Sequence, residues 1–147
     1  MGFRSNGRCR KFYEKSIEDI ENALKDFYDN SAAKMTKERY LMMMEQLGKE
    51  PIPEEIPKEF SDFPFEVQEA INIFSILPDV WEGMSGTYMG KNYSILPYLM
   101  TEIFKVDNPQ LTMKYLLIIG NIVMTVRSRE QETRNRKAKQ KAGKKGI

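Results

Sequence analysis

The stretch SGTYMGKNYS, residues 85–94, is where the residue types come nearest to a reactive loop, because a Gly-Lys pair follows another glycine. A phosphate-binding loop of the Walker type has the pattern G-x-x-x-x-G-K-[ST], whose lysine and hydroxyl hold phosphates and magnesium. Here Ser85 stands at the first glycine position and Asn92 at the hydroxyl position, and no apolar strand precedes them. The pattern therefore predicts no nucleotide binding at Lys91.

The same segment has a structural interpretation. Gly86 and Gly90 are expected to supply turns with positive φ, and the only tryptophan, Trp81, keeps the segment from being free in solvent. The sequence predicts an ordered glycine-rich loop or a small hairpin. A remaining alternative is that its backbone amides hold an anion beside Lys91. If the structural interpretation holds, replacing Lys91 with alanine is expected to leave stability nearly unchanged.

The sequence contains no histidine and a single cysteine, Cys9. Without histidine, Ser-His-Asp and Cys-His catalysis and imidazole metal ligation are excluded. One cysteine can form neither an internal disulfide nor a zinc site. We therefore predict that the protein is not an enzyme and has no cofactor or metal. The remaining enzyme hypothesis combines Lys91, Tyr88 and Tyr93 with a carboxylate, and nothing in their spacing requires it.

Charge is unevenly distributed along a chain whose net charge is only +2. Residues 1–15 carry a net charge of +4 and residues 127–147 a net charge of +7, so residues 16–126 carry −9. Basic ends usually bind nucleic acid, an acidic protein surface or anionic lipid; the alternative is a disordered, solubilising end. The predicted docking residues are Arg4, Arg8, Arg10, Lys11, Arg127, Arg129, Arg134, Arg136, Lys137, Lys139, Lys141, Lys144 and Lys145.

The elements that must position these charges are predicted to be helices. Apolar residues recur at helical spacing in five segments, and cap residues stand before them. The predicted caps are Ser16, Thr36, Ser61 or Asp62, Asn92 or Ser94, and Asp107 or Asn108. This pattern predicts an all-α fold, a compact bundle of about five helices. The residues expected to form its core are Ile71, Phe74, Leu99, Phe104, Leu116, Ile119 and Ile122.

Two segments set the organisation of the chain. Residues 48–64 hold four of the seven prolines, which favours an extended strap packed on the body rather than a domain boundary. Residues 111–126 form the most apolar stretch, which is shorter than the roughly twenty residues of a membrane span and predicts a buried helix. We expect three parts, an N-terminal arm at 1–15, a helical domain at 16–126 and a C-terminal tail at 127–147. The last helix is expected to continue into the tail and fray near Gly143.

The segments ERYLMMMEQLGKEPIPEEIPKEFSDFP, EVQEAINIFSILPD and GTYMGKNYS together resemble small, mostly uncharacterised proteins of tailed bacteriophages. In those proteins a helix ending in EQLG leads to a proline-spaced strap, a DFP helix start and a GKxxS turn. The resemblance covers roughly residues 36–126. It implies a phage origin and a role in virion structure, assembly or genome handling, and it carries no catalytic residues.

The expected function is that of a non-enzymatic phage structural or assembly protein, located in the host cytoplasm or the virion. It would dock to other phage or virion proteins through its helical body and basic termini, with no membrane partner. The alternative is an accessory protein that binds DNA or RNA through the basic tail in genome packaging or replication. The tail has no aromatic residues, so base stacking is not expected to contribute.

Overall fold

The computed structural model describes the backbone of residues 7–29, 34–53 and 55–145. Its side chains are described for residues 16–29, 34–53 and 55–144. Arg4 lies outside the described residues, as do the side chains of Arg8, Arg10, Lys11 and Lys145. By its contacts the chain divides into two compact units, Met1–Phe63 and Pro64–Ile147. The division into an arm, a helical domain and a tail at 1–15, 16–126 and 127–147 stays a prediction.

The described residues are mostly helical. The helices are α1 (Gly7–Tyr28), α2 (Lys37–Gln46), α3 (Phe65–Ile76), α4 (Leu96–Tyr98) and α5 (Pro109–Lys145), with a 3-10 turn at Phe60–Asp62 and a π-helix at Leu99–Ile103. Two short strands, β1 (Asp79–Trp81) and β2 (Tyr88–Lys91), pair in antiparallel orientation. The prediction of an all-α fold is therefore wrong for this segment, where the glycine-rich loop is a hairpin.

In the first unit, α1 begins at Gly7 rather than at Ser16, so Ser16 lies inside the helix and does not cap it. The cap predicted for α2 is confirmed, because the Arg39 amide donates to the Thr36 hydroxyl at 3.3 Å. Gly48 follows the end of this helix with φ of +66°, which is the left-handed conformation that glycine adopts after helix ends. Local capping chemistry thus sets both ends of α2.

Tyr40 of α2 holds the proline-rich segment in this unit. The buried tyrosine donates its hydroxyl hydrogen to the Glu55 carboxylate at 3.3 Å and accepts from the Ile52 amide at 3.2 Å. The Ile52 side chain is exposed, so the segment is held at this point through its backbone. Further along, the rings of Phe63 and Phe27 meet edge to face at 5.7 Å, a favourable aromatic geometry.

The core of the second unit lies between α3 and α5. Six of the seven predicted core residues are buried: Ile71, Phe74, Leu99, Leu116, Ile119 and Ile122. The prediction is wrong for Phe104, which is half-buried. The segment predicted as a regular helix is instead one α-turn followed by a π-helix. At the end of the π-helix, the Phe104 amide donates to the Leu99 carbonyl at 2.8 Å. The wider turn changes the direction of the following side chains, and Ile103 is exposed.

In this unit, the predicted cap residue is confirmed for α5 but not for α3. For α5 the cap is confirmed, because the Leu111 amide donates to the Asn108 side chain at 3.2 Å and Pro109 takes the first position. For α3, Pro64 occupies the cap position, and the predicted cap Asp62 accepts instead from the Glu59 amide of the 3-10 turn at 2.9 Å. As predicted, α5 continues into the basic region, but it does not end at Gly143, where fraying was expected, and reaches Lys145. No helix of the described residues is long and apolar enough to cross a membrane.

Candidate polyanion-binding surface

The glycine-rich segment forms the β1–β2 hairpin, and its glycines serve conformation. Trp81 pairs with Tyr88 and Val80 with Gly90, which leaves Met89 as an additional residue in a bulge. Gly90 has φ of +103°, and Gly86, in the connection between the strands, has φ of +68°. These values confirm the predicted positive φ of both glycines. Glycine suits these positions because residues with an L side chain rarely adopt this region.

Lys91 is used to join this hairpin to the end of α3. Its ammonium donates to the Leu77 carbonyl at 2.9 Å and lies 3.1 Å from the Asp79 carboxylate. It also lies 4.9 Å from the centre of the Phe74 ring, within range of a cation–π interaction. The side chain is only 10% exposed. Lys91 is thus partnered by groups of its own unit, and the expectation that its removal would leave stability unchanged is revised.

The remaining members of the enzyme hypothesis are placed by the same hairpin. Tyr88 donates to Asp79 at 2.9 Å and so joins Lys91 and a carboxylate in one cluster. Tyr93 instead packs against α5 at Gly120. Its hydroxyl lies so close that a Cβ at position 120 would be 3.1 Å from it.

The cluster lacks the titration behaviour of acid–base catalysis. Burial raises the pKa of Asp79, but hydrogen bonds from Lys91 and Tyr88 and the charges of Lys91 and Arg127 outweigh it and hold that pKa below its usual value. Burial and the hydrogen bond to Asp79 raise the pKa of Tyr88 to about 12. Neither group titrates near neutral pH, where general acid–base catalysts work best.

Replacing Lys91 with methionine is expected to lower the free energy of unfolding by about 2 kcal/mol, because the Leu77 carbonyl and the Asp79 carboxylate lose a charged partner. The effect should depend on pH. The lowered pKa of Asp79 contributes stability above the pKa of an unfolded aspartate, and this contribution is lost as pH falls through the folded value. As pH falls below about 4, the usual pKa of aspartate, Lys91→Met should therefore lose less stability than the wild type.

Urea denaturation across this pH range would measure the effect, with Lys137→Met on the exposed part of α5 as the matched control. The control is expected to change stability by less than about 0.5 kcal/mol. An unchanged midpoint for Lys91→Met at neutral pH would contradict the structural role. Micromolar ATP or GTP binding that disappears in the variant would restore the nucleotide hypothesis.

Arg127 connects α5 to the hairpin. Its guanidinium carbon lies 5.9 Å from the ring centre of Trp81 and 5.7 Å from that of Tyr88. A guanidinium at this distance is attracted to the face of an aromatic ring. The side chain is half-buried, and it lies 3.6 Å from the Glu130 carboxylate. Arg127, predicted as a docking residue, is therefore a contact of the folded unit as well.

Beyond this contact lies the basic segment, which we define as residues 129–145 of α5. From Glu132 to Lys144 every side chain is exposed. Residues 134–145 contain seven Lys or Arg and no Asp or Glu, spread over roughly 18 Å at the rise of an α-helix. The only apolar side chains in the exposed part are Ala138 and Ala142, so the segment adds little to the core. The structure brings together here the predicted docking residues Arg129, Arg134, Arg136, Lys137, Lys139, Lys141, Lys144 and Lys145.

The predicted N-terminal docking residues are placed differently. Arg8, Arg10 and Lys11 lie on α1, in the Met1–Phe63 unit, whereas the basic segment belongs to the other unit. Arg4 precedes the described residues. The two predicted groups thus belong to separate helices, and each has to be tested by itself.

The described residues also contain two grooves. One, of about 860 Å³, lies in the first unit between α1 and the proline-rich segment; carboxylates of Asp19, Asp26, Asp29 and Glu55 and the amines of Lys34 and Lys58 line it. The other, of about 620 Å³, is mainly apolar and lies between the π-helix region and the start of α5. Within the described part of the chain, no group of three or more metal-ligating side chains is close enough to hold an ion.

Comparison with known proteins gives no relative from which a function could be transferred. The chain matches no protein-family model, no curated protein and no solved structure. What the basic segment does has therefore to be argued from its own residues and their geometry.

Proposed function

We propose that this chain is a non-enzymatic structural or assembly protein of a phage particle, and that it docks to its partner through the basic segment. The observation that carries the docking role is the run of seven cations on an exposed, continuous helix. The phage context is supported by the resemblance of residues 36–126 to small proteins of tailed bacteriophages. In this proposal the basic segment is a C-terminal extension of the folded unit.

So many like charges on one helix raise its free energy, and a polyanionic partner lowers it again. Like charges three or four residues apart on a helix repel one another and destabilise it by a few tenths of a kcal/mol per pair. Lys137 and Lys141 form one such pair, and Lys141 and Lys145 another. The favourable effect of cations at a helix C-terminus offsets only part of this cost. A polyanionic partner removes the repulsion and adds attraction, so binding stabilises the segment.

The proposal predicts that the full chain co-purifies with phage particles or assembly intermediates at a fixed stoichiometry. Quantitative mass spectrometry of gradient-purified fractions would measure this. A variant with glutamine at Arg134, Arg136, Lys139 and Lys141 should be depleted from those fractions, while Arg39→Gln with Lys49→Gln, two exposed residues of the other unit, should not. Absence of the wild-type chain from both particles and intermediates would refute the proposal.

A second candidate function is an accessory role in genome packaging or replication. It is favoured by the same seven cations, because phosphate backbones are the densest anionic surfaces in a cell. The two candidates differ in one measurable respect. Association in an accessory role should be released by nuclease treatment, whereas docking to a virion protein should survive it.

A further inference from the structure

We propose that the basic segment binds in the major groove of double-stranded DNA. This inference rests on the docking role proposed for the basic segment and names duplex DNA as its partner, which is the partner that the second candidate function requires. It goes further by assigning separate roles to the faces of the helix. Two flanks contact the phosphates of the two strands, and a neutral stripe between them faces the base edges.

Seven of the eight cations of the basic segment lie on two flanks of the helix, and the eighth, Lys144, lies between them on the face opposite the neutral stripe. With 3.6 residues per turn, successive residues are about 100° apart around the axis. One flank carries Arg134, Lys137, Lys141 and Lys145, and the opposite flank carries Arg129, Arg136 and Lys139. The first flank is therefore positive from residue 134 to residue 145 and the second from residue 129 to residue 139, so that both flanks carry positive charge over residues 134–139.

A neutral stripe separates the two flanks. It consists of Gln131, Asn135, Ala138 and Ala142, at spacings of four, three and four residues, which place them on one face. The Gln131 and Asn135 side-chain amides approach each other at 3.5 Å, as expected for residues on a common face. The stripe thus combines two amides with two methyl groups.

This arrangement fits the dimensions and chemistry of the groove. A helix is about 10–12 Å across with its side chains, and the major groove of B-DNA is about 12 Å wide. Phosphates line both walls, so a helix lying in the groove gains from cations on both flanks. Amides of Asn and Gln pair with adenine edges, and alanine methyls contact the thymine methyl. The amides and methyl groups of the neutral stripe are therefore suited to contact the base edges on the floor of the groove.

Charge density agrees with the same partner. Duplex DNA carries one negative charge per roughly 1.7 Å of its axis, so about ten phosphates lie along the 18 Å of the most basic part. The seven cations within residues 134–145 are enough to pair with most of these phosphates. The contact of Arg127 with Trp81 and Tyr88 attaches the start of the segment to the folded unit, which reduces the freedom lost on binding.

Other polyanions fit this surface less well. An acidic protein would cover one flank, and protein interfaces have an apolar or aromatic centre that the segment lacks. Single-stranded nucleic acid is held by aromatic stacking, and the sequence contains no aromatic residue after Tyr115. The deep, narrow major groove of A-form RNA does not admit a helix. Duplex DNA is the partner that uses both flanks and the neutral stripe.

The first test compares the two flanks by fluorescence anisotropy, with the full chain, a labelled DNA duplex of about 24 base pairs and a series of salt concentrations. Arg134→Gln with Lys141→Gln should reduce affinity about tenfold and lower the slope of log affinity against log salt by about 2. Arg136→Gln with Lys139→Gln should do the same on the opposite flank. The control Arg39→Gln with Lys49→Gln, which removes the same charge, should leave both quantities nearly unchanged. If only one flank affects binding, the groove geometry is wrong.

The second test alters the neutral stripe without changing charge. Ala138→Leu with Ala142→Leu keeps strong helix formers at both positions, and circular dichroism would verify the helix. The bulkier side chains should weaken duplex binding about tenfold by blocking approach to the groove floor, while binding of flexible heparin should stay the same. Unchanged duplex affinity would overturn the inference.

Parallel titrations separate failure of the inference from failure of the proposed function. Polyglutamate, single-stranded DNA and duplex RNA are the comparison ligands, and duplex DNA should bind at least tenfold more tightly than any of them. If polyglutamate binds as tightly as duplex DNA, the segment is a docking element for an acidic protein and only the inference fails. If no polyanion binds at low salt, both the inference and the docking role fail.

Discussion

Replacing Phe74 with alanine is expected to lower the free energy of unfolding of the Pro64–Ile147 unit by about 3–5 kcal/mol, the range for truncating a buried phenylalanine. Phe74 is 5% exposed and lies in the core between α3 and α5. Its ring also forms one side of the site that holds the Lys91 ammonium. The substitution therefore leaves a cavity in the core and removes the aromatic face from a nearly buried cation.

Trp81 makes the measurement straightforward, because it is the only tryptophan and lies in the hairpin of the same unit. Urea unfolding followed by its fluorescence reports on this unit. Phe65→Ala is a matched control, because Phe65 lies on the same helix but is 68% exposed, and it should cost less than about 0.5 kcal/mol. A loss below about 1 kcal/mol for Phe74→Ala would mean that α3 does not face the core.

The features that the sequence predicted correctly are those set by neighbouring residues. Thr36 and Asn108 act within one turn of the helix starts that they define. The core positions of α3 and α5 follow from apolar residues at helical spacing over more than three turns, which is the strongest pattern that a sequence offers. Ser16 shows the limit of this reasoning, because a good capping residue also tolerates a place inside a helix that begins earlier.

The sequence left an ordered loop and a small hairpin as alternatives for this segment, and the structure shows the hairpin. The pattern was too short to decide between the two. Strands of three and four residues with a bulge show no clear alternation. The contacts that fix it are long-range: Lys91 meets a carbonyl fourteen residues earlier, and Arg127 lies over Trp81 from α5. The available signal was the pair of aromatic residues, Trp81 and Tyr88, on either side of a glycine-rich turn.

For the basic segment, the charge can be predicted from the sequence, but the arrangement of that charge on the faces of a helix cannot. From the sequence alone one can read its positive charge and the fact that alanines are the only apolar residues between Val126 and Ile147. The two flanks and the neutral stripe exist only because the chain continues as one helix to Lys145. A disordered tail of the same composition would present no separate faces, and its binding would depend on charge alone.

Truncating the chain after Arg129 is expected to leave the folded unit intact and to abolish most binding to the docking partner. The deletion removes seven cations and two carboxylates. On α5, the last buried apolar residue is Val123 and the last half-buried one is Val126, so the core is retained. The lost pair between Arg127 and Glu130 is partly exposed and worth less than about 1 kcal/mol. The melting temperature should therefore change by less than about 4 °C.

Binding should change far more than stability, because the deleted residues supply nearly all the cations of the basic segment. Affinity for a duplex DNA probe should fall by at least a hundredfold at low salt, and the remaining binding should lose most of its salt dependence. A full-length variant with glutamine at the same seven Lys and Arg positions is the matched control, because it removes the charge and keeps the chain. If truncation unfolds the unit while the glutamine variant stays folded, the segment is structural. If both variants bind as the wild type does, docking belongs to the predicted docking residues that both variants retain, or to the helical body; those residues are Arg4, Arg8, Arg10, Lys11, Arg127 and Arg129.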